Sequence, residues 1–279
     1  MQPRQKTLRY LLADGFHDMA YVAWGEPDRP PVVCVHGLTR QGRDFDRLAR
    51  ALASDFYVLC PDLPGRGRSD WLAGPDFYQP LTYVTALAAL LATLPPAVHW
   101  VGTSLGGICG MILAAQGKTP LTKLVLNDVG PFIPAAAIAR IQHYMQPAPV
   151  LPDRGALEAL LRVIHASFGV PDDDGWAEMA EHSGRDLAEG GITLHYDPAI
   201  GEAFNGQPAA DVDLSMFWEK ITIPTFTIRG ALSDLLLPET LAAMEKAGSR
   251  SLVLPEIGHA PSLMDDKTIS AIRGFLLEN

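Results

Sequence analysis

Cysteine, positive charge and long apolar runs are all scarce in this sequence, and each scarcity removes a class of protein. The chain has 279 residues and three cysteines. Cys34, Cys60 and Cys109 sit inside apolar stretches without metal-ligand spacing, so they read as small buried hydrophobes rather than a disulfide framework or a zinc site. An odd, sparse count fits a reducing cytoplasm. Lysine and arginine total 22 against 32 acidic residues, a formal charge of −10. That balance argues against nucleic acid and anionic membrane as partners, because both select clustered basic side chains. The longest apolar segment, residues 86–94, stops at Pro95-Pro96 and is too short to span a bilayer. The first sixteen residues carry no apolar stretch of signal-peptide length. The expectation is a soluble, cytoplasmic protein. Its oligomeric state leaves no mark in the sequence.

What is present is a large core and an alternating rhythm. Apolar residues make up 48% and charged residues 19%, enough to bury one large α/β unit. Short β-branched runs at 32–35, 57–60, 98–101, 123–126, 225–228 and 252–254 alternate with helical patterns. Most are apolar without a period of two, as in strands buried on both faces of a parallel sheet. Phe45, Leu48, Ala49 and Leu52 form one helical stripe, and Ile269, Ile272 and Leu276 another. The first thirty residues read as an antiparallel hairpin leading into the sheet.

The rhythm breaks after Asp128. Residues 131–211 carry helical patterns at 135–144, 157–168 and 176–187, separated by turns containing Pro and Gly. A structureless loop of that length is rare in a compact domain, so this segment is expected to be a helical insertion in a core made of residues 1–130 and 212–279. Its aromatic residues are Phe132, Tyr144, Phe168, Trp176 and Tyr196 among others. Their ordinary role is packing within the insertion, with some expected to face an apolar ligand.

The most informative stretch is Val98-His99-Trp100-Val101-Gly102-Thr103-Ser104-Leu105-Gly106-Gly107. An apolar strand runs into G-x-S-x-G and then into a helix. A serine hydroxyl is a weak nucleophile unless it is held rigidly beside a base. A tight strand-to-helix turn projects it, and the residues two before and two after must then be very small. Ser104 is the candidate nucleophile. An oxyanion formed during acyl transfer needs preorganised donors. The Leu105 N–H and the Leu38 N–H, just after His36-Gly37, are the candidates. His259, on the Gly-Pro-marked loop after the last strand, is the candidate base. The acid should orient His259; Asp234, which follows the strand at 225–228, sits at the expected position, and the order Ser104, Asp234, His259 matches serine–acid–histidine. Asp128, closing the preceding strand, is the competitor. His36 precedes the nucleophile and reads as structural. His99, His143, His165, His182 and His195 show no metal spacing, and no cofactor motif was found.

Taken together, His36-Gly37, Asp62-Leu63-Pro64-Gly65-Arg66-Gly67-Arg68-Ser69, Gly102-Thr103-Ser104-Leu105-Gly106-Gly107, Asp234 and Gly258-His259 resemble the α/β-hydrolase fold from end to end. The resemblance implies a mostly parallel twisted sheet flanked by helices, with residues 131–211 as a cap over the active site. It also implies a cofactor-independent serine hydrolase acting on a small ester or lactone. Ser104 stands where haloalkane dehalogenases and most epoxide hydrolases of this fold carry aspartate. His36-Gly37-Leu38-Thr39 has fewer glycines than the HGGG type of lipase. Ala260 follows His259, where carbon–carbon hydrolases usually carry tryptophan. Carboxylic ester hydrolysis is the leading expectation. Carbon–carbon cleavage, acyl transfer and a non-catalytic receptor on the same fold remain open, because the fold hosts many chemistries.

Overall fold

All six apolar runs read as strands lie in one eight-stranded sheet. The computed structural model describes residues 2–145 and 148–278, the Tyr144 side chain excepted. β1 (Arg4–Leu12) and β2 (Gly15–Trp24) form the expected hairpin. β3 (Pro31–Val35), α1 (Asp46–Leu52), β4 (Tyr57–Pro61), α2 (Pro80–Leu91), β5 (Val98–Thr103), α3 (Leu105–Ala114) and β6 (Leu121–Asn127) follow. Next come β7 (Phe132–Ile133), α4 (Ala135–Tyr144), α5 (Arg154–Ile164), α6 (Asp173–Ser183), β8 (Gly184–Asp186), β9 (Ile192–Leu194), α7 (Ala199–Asn205), β10 (Val212–Asp213) and α8 (Ser215–Trp218). The chain then returns to the sheet with β11 (Thr225–Gly230), α9 (Pro238–Lys246), β12 (Arg250–Leu254) and α10 (Asp266–Leu277).

The sheet order is β1-β2-β4-β3-β5-β6-β11-β12, parallel except where β2 meets β1 and β4. Alternate residues of one strand feed opposite cores. Val33 and Val35 pack with α2, α3 and α9 through Leu87, Cys109 and Met244. Val32 and Cys34 pack with α1 and α10 through Leu48, Leu52, Ile272 and Phe275. This is why the central strands read as unbroken apolar runs. Each fully buried Val or Leu contributes about 1.5–3 kcal/mol of burial free energy.

Strand order reverses at β3: the chain steps outward to β4, then crosses to β5 on the other side. Such a switch point leaves a crevice beyond the carboxyl ends of the two strands. Register sets what stands there. Val35 pairs with Gly102, and Thr103 with Asn127. The next residues along, Ser104 and Asp128, therefore leave neighbouring strands at the same level.

The segment between β6 and β11 adds no strand to the main sheet. Its ends meet, because β7 pairs with β10 through Ile133 opposite Val212. α5 and α6 begin at Asp153 and Asp172, whose side chains accept the Ala156 and Gly175 N–H groups. Two expectations need correcting. The helix read over 157–168 stops at Ile164 and continues as a separate 3-10 turn, Ala166–Phe168. The helix read over 176–187 ends at Ser183, where Gly184 turns extended and starts the β8–β9 ribbon. A side chain at Gly184 would strike Ile192 and Leu157, so the position admits only glycine, a poor helix former.

Candidate active site

Ser104 sits between β5 and α3 with φ 50° and ψ −113°. A non-glycine residue held there stores about 1–3 kcal/mol of strain and needs rigid surroundings. Those surroundings are backbone against backbone. A Cβ at Gly102 would collide with Gly106 and Gly107, and one at Gly106 would collide with the Val35 carbonyl. Trp100, fully buried in β5, donates its indole N–H to the Gly106 carbonyl at 3.0 Å. The Ser104 N–H donates to the Asn127 carbonyl at 3.0 Å, which ties the turn to β6.

His259 Nε2 lies 3.0 Å from Ser104 Oγ, and His259 Nδ1 lies 2.7 Å from Asp128 Oδ2. A carboxylate accepts, so Nδ1 carries the proton and Nε2 is left to accept from the serine hydroxyl. The imidazole is held by its loop. Gly258 N–H donates to the Ser167 carbonyl at 2.8 Å, Ser262 N–H to the Phe168 carbonyl at 2.8 Å, and Asn127 Nδ2 to the Pro261 carbonyl at 2.8 Å. Two of these three anchors come from the 3-10 turn after α5.

The acid partner differs from expectation. Asp234 does not meet His259. It forms an ion pair with Arg140 of α4 at 2.8 Å, with its side chain 46% exposed. Asp128 holds the position instead, completely buried. A buried carboxylate is costly unless it is hydrogen-bonded. Asp128 accepts from the Gly230 N–H at 2.9 Å, the Ser233 hydroxyl at 2.6 Å and His259. The physical reason lies in the loop after β11. Ser233, Leu235 and Leu236 are buried, so Asp234 between them is turned outward.

Behind the candidate oxyanion turn lies His36, 1% exposed. Its Nδ1–H donates to the Gly37 carbonyl at 2.7 Å, and its Nε2 accepts the Leu63 N–H at 2.9 Å. Burial pushes this imidazole down to about 3, which keeps it neutral and fixes that tautomer. The Gly37 carbonyl belongs to the same peptide as the Leu38 N–H, so His36 sets the direction of that donor. Gly37 lies close enough to the nucleophile that a Cβ there would sit 3.7 Å from Ser104 Cβ. Leu105 opens α3, where a backbone N–H has no intrahelical acceptor.

Ser104 and His259 open into a cavity of about 120 Å³ lined by Leu38 and Arg40 from the loops near β3 and by Ile141, Ile164, His165 and Phe168 from the segment between β6 and β11. Sites for drug-sized ligands run to roughly 300–1,000 Å³, so this one suits a small group. Arg40 and His165 carried no signal in the sequence. Arg40 chelates Asp44 through two 2.7 Å bonds, and its Nη1 lies 3.3 Å from His165 Nε2. Burial and the Arg40 charge push His165 well below its ordinary value, leaving Nε2 as an acceptor. Among the aromatic residues expected near a ligand, Phe168 lines the cavity. Trp176 instead packs with Leu157, Leu161 and Met179. Tyr196 joins the main core and the Tyr144 side chain lies outside the described residues. Among the described residues no cluster of His, Cys, Asp and Glu suits a metal ion. No helix among them is long and apolar enough to cross a membrane.

A serine, an imidazole and a buried carboxylate thus stand in hydrogen-bonded series at the switch point of the sheet. The model of the alpha/beta hydrolase family matches residues 32–271. The chain belongs to that family and is a hydrolase. It is 42% identical to a 3-hydroxybutyrate-oligomer hydrolase of Cupriavidus necator over 291 aligned positions, covering 98% of this chain and 97% of that protein. The structure of a Rickettsia typhi protein superposes with a TM-score of 0.90 at 32% identity, over 99% of both chains. An alpha/beta hydrolase from Novosphingobium aromaticivorans gives 0.87 at 34%, again over 99% of both.

Proposed function

We propose that this protein is a serine carboxylic ester hydrolase whose working groups are Ser104, His259 and Asp128, with the Leu38 and Leu105 N–H groups as oxyanion donors. The observation that carries the reading is the continuous series Ser104 Oγ to His259 Nε2 at 3.0 Å and His259 Nδ1 to Asp128 at 2.7 Å. His259 takes the hydroxyl proton as Ser104 Oγ attacks the ester carbonyl. The tetrahedral oxyanion is held by the two N–H groups. As the C–O bond breaks, the alcohol leaves with the proton from His259, and the acyl group stays on Ser104. Water then attacks the acyl carbon, giving a proton to His259; as the acyl–Oγ bond breaks, His259 returns that proton to Ser104 Oγ and the acid leaves. Asp128 keeps the Nδ1 proton in place and stabilises the imidazolium.

The substrate class follows from size and from likeness. The cavity of about 120 Å³ admits a short acyl group. The 42% relative is named for 3-hydroxybutyrate oligomers, so short linear hydroxyacid esters are the first substrates to try. In this reading the segment over 131–211 is a cap that shapes the acyl pocket through Ile141, Ile164 and Phe168. The cap also braces the catalytic loop, through the carbonyls of Ser167 and Phe168.

The test is turnover of 3-hydroxybutyrate dimer and trimer, a chromogenic butyrate ester, a lactone and a thioester, beside Ser104→Ala. Hydrolysis of the linear esters is expected, lowered about 10³-fold or more in the variant. A Ser104→Ala protein that keeps its rate would remove the nucleophile from the account.

A further inference from the structure

Arg66, the first of two arginines in Asp62-Leu63-Pro64-Gly65-Arg66-Gly67-Arg68-Ser69, has no part in the steps above, yet it is among the most unusual side chains in the molecule. Arg66 is completely buried. Among the described residues no aspartate or glutamate forms an ion pair with it. An arginine taken out of water without a counter-charge is costly, and an apolar residue of similar volume would pack there at less expense. What surrounds it is backbone and aromatic surface. Nε donates to the Leu38 carbonyl at 2.8 Å and Nη1 to the Pro64 carbonyl at 2.7 Å. The guanidinium carbon stands 4.7 Å from the Tyr83 ring centre and 5.8 Å from that of Tyr78. The rings offset part of the desolvation through cation–π attraction.

The placement gives the charge a use. Two consecutive peptides make the candidate oxyanion turn. His36 holds the first, through the Gly37 carbonyl, and Arg66 holds the second, through the Leu38 carbonyl. His36 borders the cavity, whereas Arg66 is fully buried and does not line it. We propose that Arg66 is a positioning residue for ester hydrolysis: its guanidinium fork locks the Leu38 peptide so that the preceding N–H meets the oxyanion without reorganising, and its uncompensated charge adds positive potential behind it. The inference rests on the serine-hydrolase reading. Donors fixed in advance act mainly on the transition state, so their loss should appear in kcat rather than KM.

The experiment compares Arg66→Met, which keeps length but removes fork and charge, with Arg66→Lys, which keeps charge but cannot span both carbonyls. For each, kcat and KM on a chromogenic short ester are measured with the inhibition constant of an alkylboronic acid, which forms a tetrahedral adduct on serine. Thermal unfolding is followed in parallel. Removing an oxyanion donor outright costs about 10²–10³ in kcat, so loosening one should cost about ten- to a hundredfold. The expected result is that loss in kcat for Arg66→Met, KM within about threefold, and boronate affinity falling by a similar factor. Arg66→Lys should fall between. A folded Arg66→Met with wild-type kcat and boronate affinity overturns the proposal. Where Arg66→Met does not fold, wild-type values in Arg66→Lys overturn the clamp. Boronate binding and organophosphate labelling of Ser104 do not depend on the choice of ester, so a poor substrate leaves them readable. A wild-type protein that takes up neither reagent overturns the proposal together with the reading beneath it.

Discussion

Two strands of this sheet end near an aspartate, and the two aspartates have opposite fates. Asp128 follows β6 directly, is fully buried, and accepts from Gly230, Ser233 and His259. Asp234 stands four residues beyond the end of β11 at Gly230 and faces solvent, paired with Arg140. Chain order admits both, since each lies between Ser104 and His259; the position after β11 favours the second, and geometry favours the first. Which strand supplies the carboxylate beside His259 therefore depends on local side-chain direction rather than on position after a particular strand. Once Ser233 turns inward to bind Asp128, its neighbour has to point out. The end of β11 and the loop after it still contribute to the site, Gly230 giving an N–H and Ser233 a hydroxyl to the carboxylate that follows the adjacent strand.

Substitutions at three positions sharpen the comparison. Asp128→Asn should have the largest effect. The amide can donate to His259 Nδ1 and so favour the wrong tautomer, and kcat should fall by about 10³–10⁴ with the fold intact by circular dichroism. Ser233→Ala should come second. It removes one of three donors to the buried carboxylate and leaves the Leu235 and Leu236 N–H groups, each 3.2 Å from the serine oxygen, without that acceptor. A loss of about 1.5–3 kcal/mol in urea-unfolding stability is expected, with kcat reduced about tenfold. Asp234→Asn should do least, since exposed ion pairs contribute about 0–1 kcal/mol and kcat should stay within about threefold. If Asp234→Asn proves more damaging to kcat than Asp128→Asn in folded proteins, the comparison is reversed.

A fourth prediction concerns the buried histidines. His36 and His99 are pushed by burial down to about 3 and about 4 from an ordinary value near 6.5. Below pH 6.5 the unfolded chain binds protons that the folded protein refuses, so stability should rise with pH through the window from about 4 to 6.5 and fall as the solution is acidified. Urea midpoints at pH 7 and pH 5 give the check. A midpoint that does not drop at pH 5 would mean that these imidazoles are not held neutral.

The parts of the molecule that could be read in the sequence are those governed by local rules. Apolar runs buried on both faces gave the strands, and Gly102 and Gly106 flank Ser104 because backbone atoms occupy the space of their missing side chains. His259 could be read from its place after the last strand. The acid could not be read the same way. Leu232-Ser233-Asp234-Leu235-Leu236 does not state which polar residue faces inward, and that is settled by contact with Asp128 across 105 residues of chain. The Arg40–His165 contact joins residues 125 apart and was equally silent. Trp176 could be recognised as a large apolar residue, but only packing against Leu157 and Leu161 shows that it lies among the helices between β6 and β11 rather than at the cavity.

The most direct measurement is the proton NMR signal of the histidine Nδ1–H, which moves far downfield when it is held by a buried carboxylate. It would be recorded on wild-type, Asp128→Asn, Asp234→Asn and, for assignment, His259→Gln proteins. The account predicts one such resonance, absent in the His259→Gln and Asp128→Asn proteins and unchanged in Asp234→Asn. A resonance that survives Asp128→Asn and disappears in Asp234→Asn would contradict it.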